Sequence, residues 1–325
     1  MPQSPETPIR VLYCLDNNYL RQLGISLASM LRSNPASRFE VHIAMLARDR
    51  VLSNRVMDAV TAAFGNVRIA YHDLDETLFD AFPVTQSISK STYIRIILGR
   101  FVPRDCERIL YLDADTIVRA DVRPLWRTPL DGAVLAAVRD HFSLDAEAIS
   151  FAPDEPYFNA GVLLIDMNRW RALDIEGRVL AYLGEHANRL PWMDQDALNA
   201  VLRGHVRYVG LEWNFQPRCA DVPAEFLGLD EATYARLRAH PSLVHYTTSF
   251  KPWNAAHRVH YSGLFYEAAR LLPSSPDLVP QPPGAGRFRD RLMGLKTTLR
   301  WHFPRAFRRI RQILKPSEAA LMYRA

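Results

Sequence analysis

The first 74 residues alternate between strand-like and helix-like segments, and this alternation limits the fold more than any other feature. The apolar runs 9–15, 39–46 and 67–74 predict strands. Between them, residues 19–31 and 51–64 carry apolar side chains at the three- and four-residue spacing of helices. Strands joined through helices form parallel sheets with both faces covered, so we predict an α/β fold with a mostly parallel central sheet.

Later segments extend the same pattern. We predict further strands at 108–112, 133–138 and 161–165, and helices at 91–99, 168–186 and 194–202. Five prolines and two glycines in residues 272–286 are typical of a linker or an extended strap. The predicted organisation is therefore one globular domain over 1–271, a proline-rich linker over 272–286 and a tail over 287–325.

Several compartments are disfavoured by the sequence. The N-terminal ten residues lack the apolar core of a secretory signal, and no uncharged apolar run reaches the length of a membrane span. The three cysteines, Cys14, Cys106 and Cys219, are few and widely spaced, which is typical of buried free thiols in a reducing compartment. We therefore expect a cytoplasmic chain that does not span a membrane.

The positive charge of the chain is concentrated near its C-terminus. Residues 287–315 hold ten basic residues and one acid, a net charge of +9, and the whole chain carries +5, so the remaining residues carry −4. The basic residues of this tail are interleaved with aromatic and aliphatic ones, a pattern that favours an anionic membrane surface. A solvated basic helix is the alternative, and nucleic acid is a weaker one because no recognised binding motif is present.

Two distant segments indicate a metal site. The predicted strand 108–112 ends on Asp113 and Asp115, and ligands of α/β sheets bind beyond the carboxyl ends of strands. Two carboxylates together with the imidazole of His245 suit Mn²⁺ or Mg²⁺, and Lys251 suits the phosphates that such a metal carries. Two other Asp-x-Asp triplets, at 73–75 and 194–196, lack this strand context.

The same strand and triplet also match the nucleophile motif of haloacid-dehalogenase-like phosphatases, Asp-x-Asp-x-Thr. That fold usually begins with this strand, whereas about 110 residues of α/β sequence precede it here. The later triplet 194–196, which would have to hold Mg²⁺, does not follow a predicted strand. A phosphatase is therefore the lesser alternative.

Six segments, taken in order, resemble the family 8 retaining glycosyltransferases of the GT-A fold. The nearest likeness is to bacterial lipopolysaccharide and lipooligosaccharide galactosyl- and glucosyltransferases. The segments are LDNNY (15–19), STYIRI (91–96), RILYLDADTIV (108–118), YFNAGVLLIDMNRWR (157–171), DQDALN (194–199) and HYTTSFKPW (245–253). The resemblance implies transfer of a hexose, galactose or glucose, from a UDP-sugar to a lipopolysaccharide-type acceptor.

The resemblance also implies a role for each residue that matches the family's motifs. The uracil, ribose and pyrophosphate would contact Asp16, Asn18, Tyr19, Arg95, Ala114, Thr248 and Lys251. The divalent metal would be bound by Asp113, Asp115 and His245. The donor sugar and the reaction centre would be lined by Asp140, Asn159, Asp194 and Gln195.

The chain departs from the family at two positions. Thr248 stands where the family often has glycine, and Ser87 stands where some relatives have histidine. The neutral amide of Gln195 is a poor nucleophile, so we favour front-face attack with a UDP oxygen as the base. A transient nucleophile, Asp194 or Asp196, is the alternative mechanism.

The alternative function is a catalytically silent protein on the same fold that binds a UDP-sugar or a glycan. For the enzyme, the resemblance and the basic tail predict a peripheral position on the inner face of a bacterial inner membrane. A lipid-linked saccharide acceptor would lie there, and no nucleic-acid partner is expected.

Overall fold

The computed structural model describes residues 7–46, 50–79, 90–142, 151–152, 155–186, 189–254, 259–273 and 278–280. The basic tail predicted over 287–325, most of the proline-rich linker and Ser87 lie outside these residues. None of the helices in the described ranges is both long and apolar enough to cross a lipid bilayer.

Within the residues that the structure describes, seven strands form a central sheet in the order β3-β2-β1-β4-β7-β6-β8, and two short strands, β5 and β9, form a second sheet. Within the central sheet every neighbouring pair is parallel except those that involve β7. The predicted α/β fold with a mostly parallel sheet is confirmed. The strands are β1 Ile9–Cys14, β2 Phe39–Leu46, β3 Val67–Leu74, β4 Arg108–Leu112, β5 Thr116–Val118, β6 Leu135–Arg139, β7 Phe158–Asp166, β8 Val206–Val209 and β9 Leu243–His245.

Strand β7 runs antiparallel to both of its neighbours, β4 and β6. It is nine residues long and eight of them are buried, and apart from Asn159 these eight form an apolar run without alternation. Such a run indicates burial on both faces but not strand direction. The predicted strand 161–165 was therefore too short, and its direction could not be derived from the sequence.

The helices cover both faces of the sheet, and their bounds correct two predictions. The segment 91–99 forms a 3-10 helix, Lys90–Arg95, and then a short α-helix. The segment 168–186 is two helices that meet at Asp174, whose φ of 46° is left-handed. The α-helices are α1 Leu20–Ser33, α2 Arg50–Ala63, α3 Leu98–Phe101, α4 Arg123–Trp126, α5 Met167–Ala172, α6 Ile175–His186, α7 Met193–Val201, α8 Glu231–Ala239 and α9 Ser262–Ala269.

In the described part of the chain, two large apolar clusters and a small third one fill the space between the sheet and these helices. Leu110 and Leu112 of β4 belong to the cluster beneath α1 and α9, whereas Ile109 and Tyr111 belong to the cluster beneath α6 and α7. Burial of each large apolar side chain contributes about 1.5–3 kcal/mol. Because β4 is held from both faces, the residues that follow it start from a fixed position.

The described part of the proline-rich segment contacts the domain. Leu272 and Leu278 are buried in the cluster beneath α1 and α9, and Val279 packs against it. Cys106 and Cys219 are buried and Cys14 is partly buried, and all three are free thiols, as predicted.

Candidate functional site

The pairing of β1 with β4 places the ends of these two parallel strands side by side. Asp16 follows β1, and Asp113 and Asp115 follow β4. Directly after them, β5 pairs with β9 in a register that sets Thr116 opposite His245. This pairing brings the histidine from the far end of the sequence to the two carboxylates.

Asp113, Asp115 and His245 form a compact cluster of potential metal ligands. Nε2 of His245 lies 3.1 Å from Oδ1 of Asp115 and 3.5 Å from Oδ2 of Asp113. One ligand atom from each residue lies within 4.8 Å of the other two, and within the described ranges no other His, Cys, Asp or Glu group meets this condition. Two carboxylates and one imidazole form a donor set that fits Mn²⁺ or Mg²⁺.

Gly161 on β7 provides the space for this cluster. A Cβ at this position would overlap Cε1 of His245 and would lie 2.6 Å from Oδ2 of Asp113. The carbonyl of Gly161 also accepts a hydrogen bond from the backbone N–H of Asp113, with an N–O distance of 2.8 Å. Any larger residue would displace the histidine or the carboxylate.

Two cations lie beside the carboxylates, the partly buried Arg95 and the buried Lys251. Arg95 approaches Asp113 to 3.4 Å, and Nε of the same guanidinium lies 2.8 Å from Oδ2 of Asp194. Nζ of Lys251 lies 2.5 Å from Oδ2 of Asp115. The 3-10 helix before α3 thus brings Arg95 to the site, and the loop after β9 brings Lys251.

These contacts set the charges of the metal-free cluster. Burial acts to raise the pKa of Asp113 and of Asp115. Arg95 and His245 outweigh it at Asp113, and Lys251 and His245 outweigh it at Asp115, so both pKa values lie below their usual range. Burial acts to lower the pKa of His245, but Asp115 and Asp113 outweigh it and raise this pKa to about 9. The metal-free cluster therefore holds an imidazolium at neutral pH.

Three of the residues predicted at the donor sugar, Asp140, Asn159 and Gln195, form one hydrogen-bonded group. Nδ2 of Asn159 lies 3.2 Å from Oδ2 of Asp140 and 3.3 Å from Oε1 of Gln195. Oε1 of Gln195 also accepts the backbone N–H of Ala160 at 2.9 Å. The carbonyl end of the glutamine amide is therefore held by β7.

Asp194 and Asp196 have different surroundings although both belong to the first turn of α7. Burial raises the pKa of Asp194 to about 6, against the opposing effect of Arg95. Asp196 is fully buried and accepts hydrogen bonds from the hydroxyl of Tyr157 and the backbone N–H of Trp192, each at 2.7 Å. Asp196 anchors the start of α7, which leaves Asp194 as the carboxylate that adjoins the cluster.

The residues predicted at the nucleotide lie at the end of β1. Asp16 caps the 3-10 helix Asn17–Tyr19 by accepting the N–H of Asn18 at 2.9 Å, and the side chain of Asn18 is exposed. Tyr19 meets Trp253 edge-on, with ring centroids 6.2 Å apart. Burial raises the pKa of the Tyr19 hydroxyl, and the charge of Lys251 acts against this increase. The tyrosine ring therefore lies near the cluster of potential metal ligands. Ala114 is buried between the two carboxylates.

Thr248 does not adopt a left-handed backbone conformation. Its hydroxyl accepts the backbone N–H of Phe250 at 3.2 Å and so closes the loop that leads to Lys251. The conformational freedom of a glycine is therefore not required for this loop.

A polar segment that the sequence did not predict lies beside β9. Phe215 forms a parallel bridge with Val244, and alternate residues on either side of it, Asn214 and Gln216, have polar side chains in the site. Oδ1 of Asn214 lies 2.9 Å from Nδ1 of His245.

Beyond Gln216, this segment reaches the hydrogen-bonded group of Asp140, Asn159 and Gln195. Oε1 of Gln216 accepts from the hydroxyl of Thr247 at 3.0 Å and from Nε of Arg218 at 2.7 Å. Arg218 in turn lies 3.4 Å from Oδ1 of Asp140. The alternation of polar and apolar residues in WNFQPR was the available signal, although alternation alone does not identify a partner.

The family model described as Glycosyl transferase family 8 matches residues 10–257. The chain belongs to glycosyl transferase family 8. It is 27% identical over 251 residues to lipopolysaccharide 1,2-glucosyltransferase of Escherichia coli K12, covering 76% of this chain and 73% of that protein. It is also 27% identical over 273 residues to lipopolysaccharide 1,3-galactosyltransferase of Salmonella typhimurium LT2, covering 82% of this chain and 79% of that one.

Among solved structures, the galactosyltransferase LgtC in complex with donor and acceptor sugar analogues is similar. Its TM-score is 0.68 with 29% identity over 82% of this chain and 98% of that one. The predicted family, the GT-A fold and a hexosyltransferase function are confirmed at this level. The comparisons do not favour the silent binding protein or the phosphatase.

Proposed function

We propose that this chain transfers galactose or glucose from a UDP-sugar to a lipopolysaccharide-type glycan, with retention at the anomeric carbon and with Mn²⁺ or Mg²⁺. The observation that carries the proposal is the convergence of Asp113, Asp115 and His245 beside Lys251. Lipopolysaccharide glucosyl- and galactosyltransferases among the relatives support the choice of donor sugars and acceptor.

The phosphate side of the site consists of Asp113, Asp115, His245 and Lys251. The three ligands would hold the divalent cation, which when bound supplies positive charge that offsets the charge developing on departing UDP. Lys251 is buried, and burial lowers its pKa less than Asp115 raises it, so its ammonium group stays charged. A charged lysine at this place stabilises the same leaving group. Asp16, Asn18 and Tyr19 would hold the nucleoside, with Arg95, Ala114 and Thr248 along the pyrophosphate.

The sugar side consists of Asp140, Asn159, Asp194 and Gln195. The bond from the anomeric carbon to the β-phosphate oxygen breaks, and a bond to the acceptor hydroxyl forms on the same face. The hydroxyl proton passes to the departing phosphate oxygen. The fixed carbonyl of Gln195 would face the positive charge that develops on the sugar ring, as polar groups do at oxocarbenium-like transition states.

The acceptor and the membrane are linked in this proposal. A lipid-linked saccharide lies at a membrane surface, and the +9 charge of residues 287–315 favours an anionic one. Each basic residue near such a surface contributes about 1 kcal/mol. We therefore place the catalytic domain (1–271) on the inner face of a bacterial inner membrane, joined by 272–286 to the tail 287–325 that binds lipid.

Thermal unfolding with UDP, in the presence and absence of Mn²⁺, tests the donor site. A ligand at a hundred times its Kd adds roughly 2.7 kcal/mol, a shift of a few degrees. We expect stabilisation that requires both UDP and Mn²⁺ and disappears in Asp113→Asn/Asp115→Asn. A shift independent of the metal, or none, would contradict the metal assignment.

Turnover is tested with radiolabelled UDP-galactose and UDP-glucose on a purified lipooligosaccharide acceptor, and the anomeric configuration of the product is read by NMR. Transfer with retention is the expected result. Binding of UDP without any transfer would revive the silent binding protein.

A further inference from the structure

We propose that Asn214 is a positioning residue that holds His245 in the tautomer with its proton on Nδ1 and its lone pair on Nε2. Oδ1 of Asn214 lies 2.9 Å from Nδ1 of His245, and the asparagine is 1% exposed. This inference deepens the proposed function and rests on the metal site proposed above.

A backbone N–H identifies the donor and the acceptor of this hydrogen bond. It is linked to His245 through the side chains of Asn159 and Asn214. The N–H of Gly161 donates to Oδ1 of Asn159 at 3.0 Å, and a backbone N–H cannot accept. The atom of Asn159 next to Asn214 is therefore an acceptor, and the atom of Asn214 that lies 2.8 Å from it must be the Nδ2 donor. The amide of Asn214 is then fixed with its carbonyl oxygen toward His245, and only a proton on Nδ1 completes the bond.

The other ring nitrogen is the one that faces the carboxylates. Nε2 of His245 lies 3.1 Å from Asp115 and 3.5 Å from Asp113. A neutral histidine with its proton on Nε2 would present an N–H to a cation at this place, whereas the tautomer selected by Asn214 presents a lone pair. Removal of the hydrogen-bond partner of a metal-ligating histidine typically weakens metal affinity 10–100-fold.

The same asparagine joins the two sides of the site. Asn159, which receives the Nδ2–H of Asn214, also contacts Asp140 and Gln195 through its own amide nitrogen. A rotation of the His245 ring would therefore disturb the amides of the sugar side. Asn214 fixes the orientation of the ring as well as its tautomer.

Two substitutions separate this role from simple packing. Asn214→Leu has a similar volume and removes the acceptor, so we expect Mn²⁺ affinity, measured by calorimetry, to fall 10–100-fold. Asn214→Asp keeps an acceptor for Nδ1–H but loses the donor to Oδ1 of Asn159, so we expect its Mn²⁺ affinity to fall clearly less than that of Asn214→Leu. Equal losses in both variants would overturn the proposal, as would an unchanged affinity in Asn214→Leu.

The matched control is Asn34→Leu. Asn34 is 3% exposed and makes three side-chain hydrogen bonds, to Met30, Ala120 and Val122, away from the site. It should cost stability and leave Mn²⁺ affinity unchanged. A loss of Mn²⁺ affinity in this control as large as that in Asn214→Leu would assign the effect to general destabilisation and overturn the proposal.

The tautomer is read without any metal. In ¹⁵N-histidine-labelled protein at about pH 10, the ring of His245 is assigned by the loss of its signals in His245→Gln. We expect the Nδ1–H pattern in the natural chain and in Asn214→Asp, because the oxygen held against Nδ1 can only accept. We expect the Nε2–H pattern, which free histidine and the carboxylates of Asp113 and Asp115 both favour, in Asn214→Leu. An Nε2–H pattern in the natural chain would overturn the inference. A natural chain that shows Nδ1–H but binds no Mn²⁺ would instead overturn the proposed metal site.

Discussion

The phosphate side of the site is built from charges that neutralise one another, whereas the centre of the sugar side is a pair of amides, Asn159 and Gln195, that hydrogen-bond to one another. Asp115 lies between His245 and Lys251, and the metal-free cluster holds an imidazolium whose Nε2 proton a bound cation would have to displace. On the sugar side, Asn159 and Gln195 are held by backbone N–H groups of β7. The phosphate side is thus able to change its charge when a ligand binds, and the two amides of the sugar side offer a fixed shape.

The largest expected effect comes from the phosphate side. In Asp115→Asn a metal ligand and the partner of Lys251 lose their charge together, so we expect kcat to fall about 1,000-fold, or roughly 4 kcal/mol. The measurement is the initial rate of transfer at saturating UDP-sugar over a range of Mn²⁺ concentrations. A rate that Mn²⁺ restores fully would show that Asp115 acts on affinity alone.

Gly161→Ala tests whether the two sides share one backbone. The added methyl group would overlap His245 and approach Asp113, so a strand or a ligand must shift. We expect a loss of about 1–3 kcal/mol in the free energy of unfolding together with weaker Mn²⁺ binding, measured by urea denaturation and calorimetry. Ala substitution at Gly184, where no atom lies within 4 Å of the added Cβ, is the control.

The pH dependence of stability distinguishes the two sides. The pKa of His245 is raised from 6.5 to about 9 in the folded state, so its contribution is fully present below about pH 6.5 and is lost as pH rises through 9. We expect the metal-free chain to lose about 3 kcal/mol of unfolding free energy between pH 6.5 and 10. His245→Gln should show a flatter profile in chemical denaturation, and an unchanged profile would contradict the assignment.

The smallest expected effect concerns Asp194. Burial raises its pKa from the ordinary 3.8 to about 6 in the folded state, so the folded state binds more protons between these values and stability rises as pH falls through 6. Asp194→Asn should therefore be more stable than the natural chain by about 2 kcal/mol at pH 7.5, with little difference at pH 4. Urea denaturation at both pH values measures this. Destabilisation at pH 7.5 would mean that the pair with Arg95 outweighs the burial.

The sequence predicted those strands and helices that are long enough for their apolar residues to form a recognisable pattern. Strands 39–46, 67–74 and 108–112 were placed correctly. The first and the last are mostly apolar, and 67–74 carries Val67, Ile69 and Tyr71 at alternate positions. Strands β5 and β9 have three residues each, too few to show a period, and were missed. The direction of β7 was hidden because both of its faces are buried.

Some residues of the site were predicted from the sequence and others were missed, for a related reason. The pairing of β1 with β4, which places Asp16 near Asp113, follows from the parallel sheet. Asn214 was missed because its partners, His245 and Asn159, lie 31 and 55 residues away in the chain. Hydrogen bonds between amides at such separations leave no local pattern.

The pairing of β5 with β9 has a consequence for how the protein is made. Lys251 reaches Asp115 across 136 residues of chain, and His245 arrives with the same late segment. During synthesis, a chain that has not yet been extended past β9 contains both carboxylates without the histidine or the lysine. Closing a loop of this length is slow compared with local helix formation. The cluster of Asp113, Asp115, His245 and Lys251 is therefore among the last parts of the domain to be completed, and a chain that ends before β9 cannot form it.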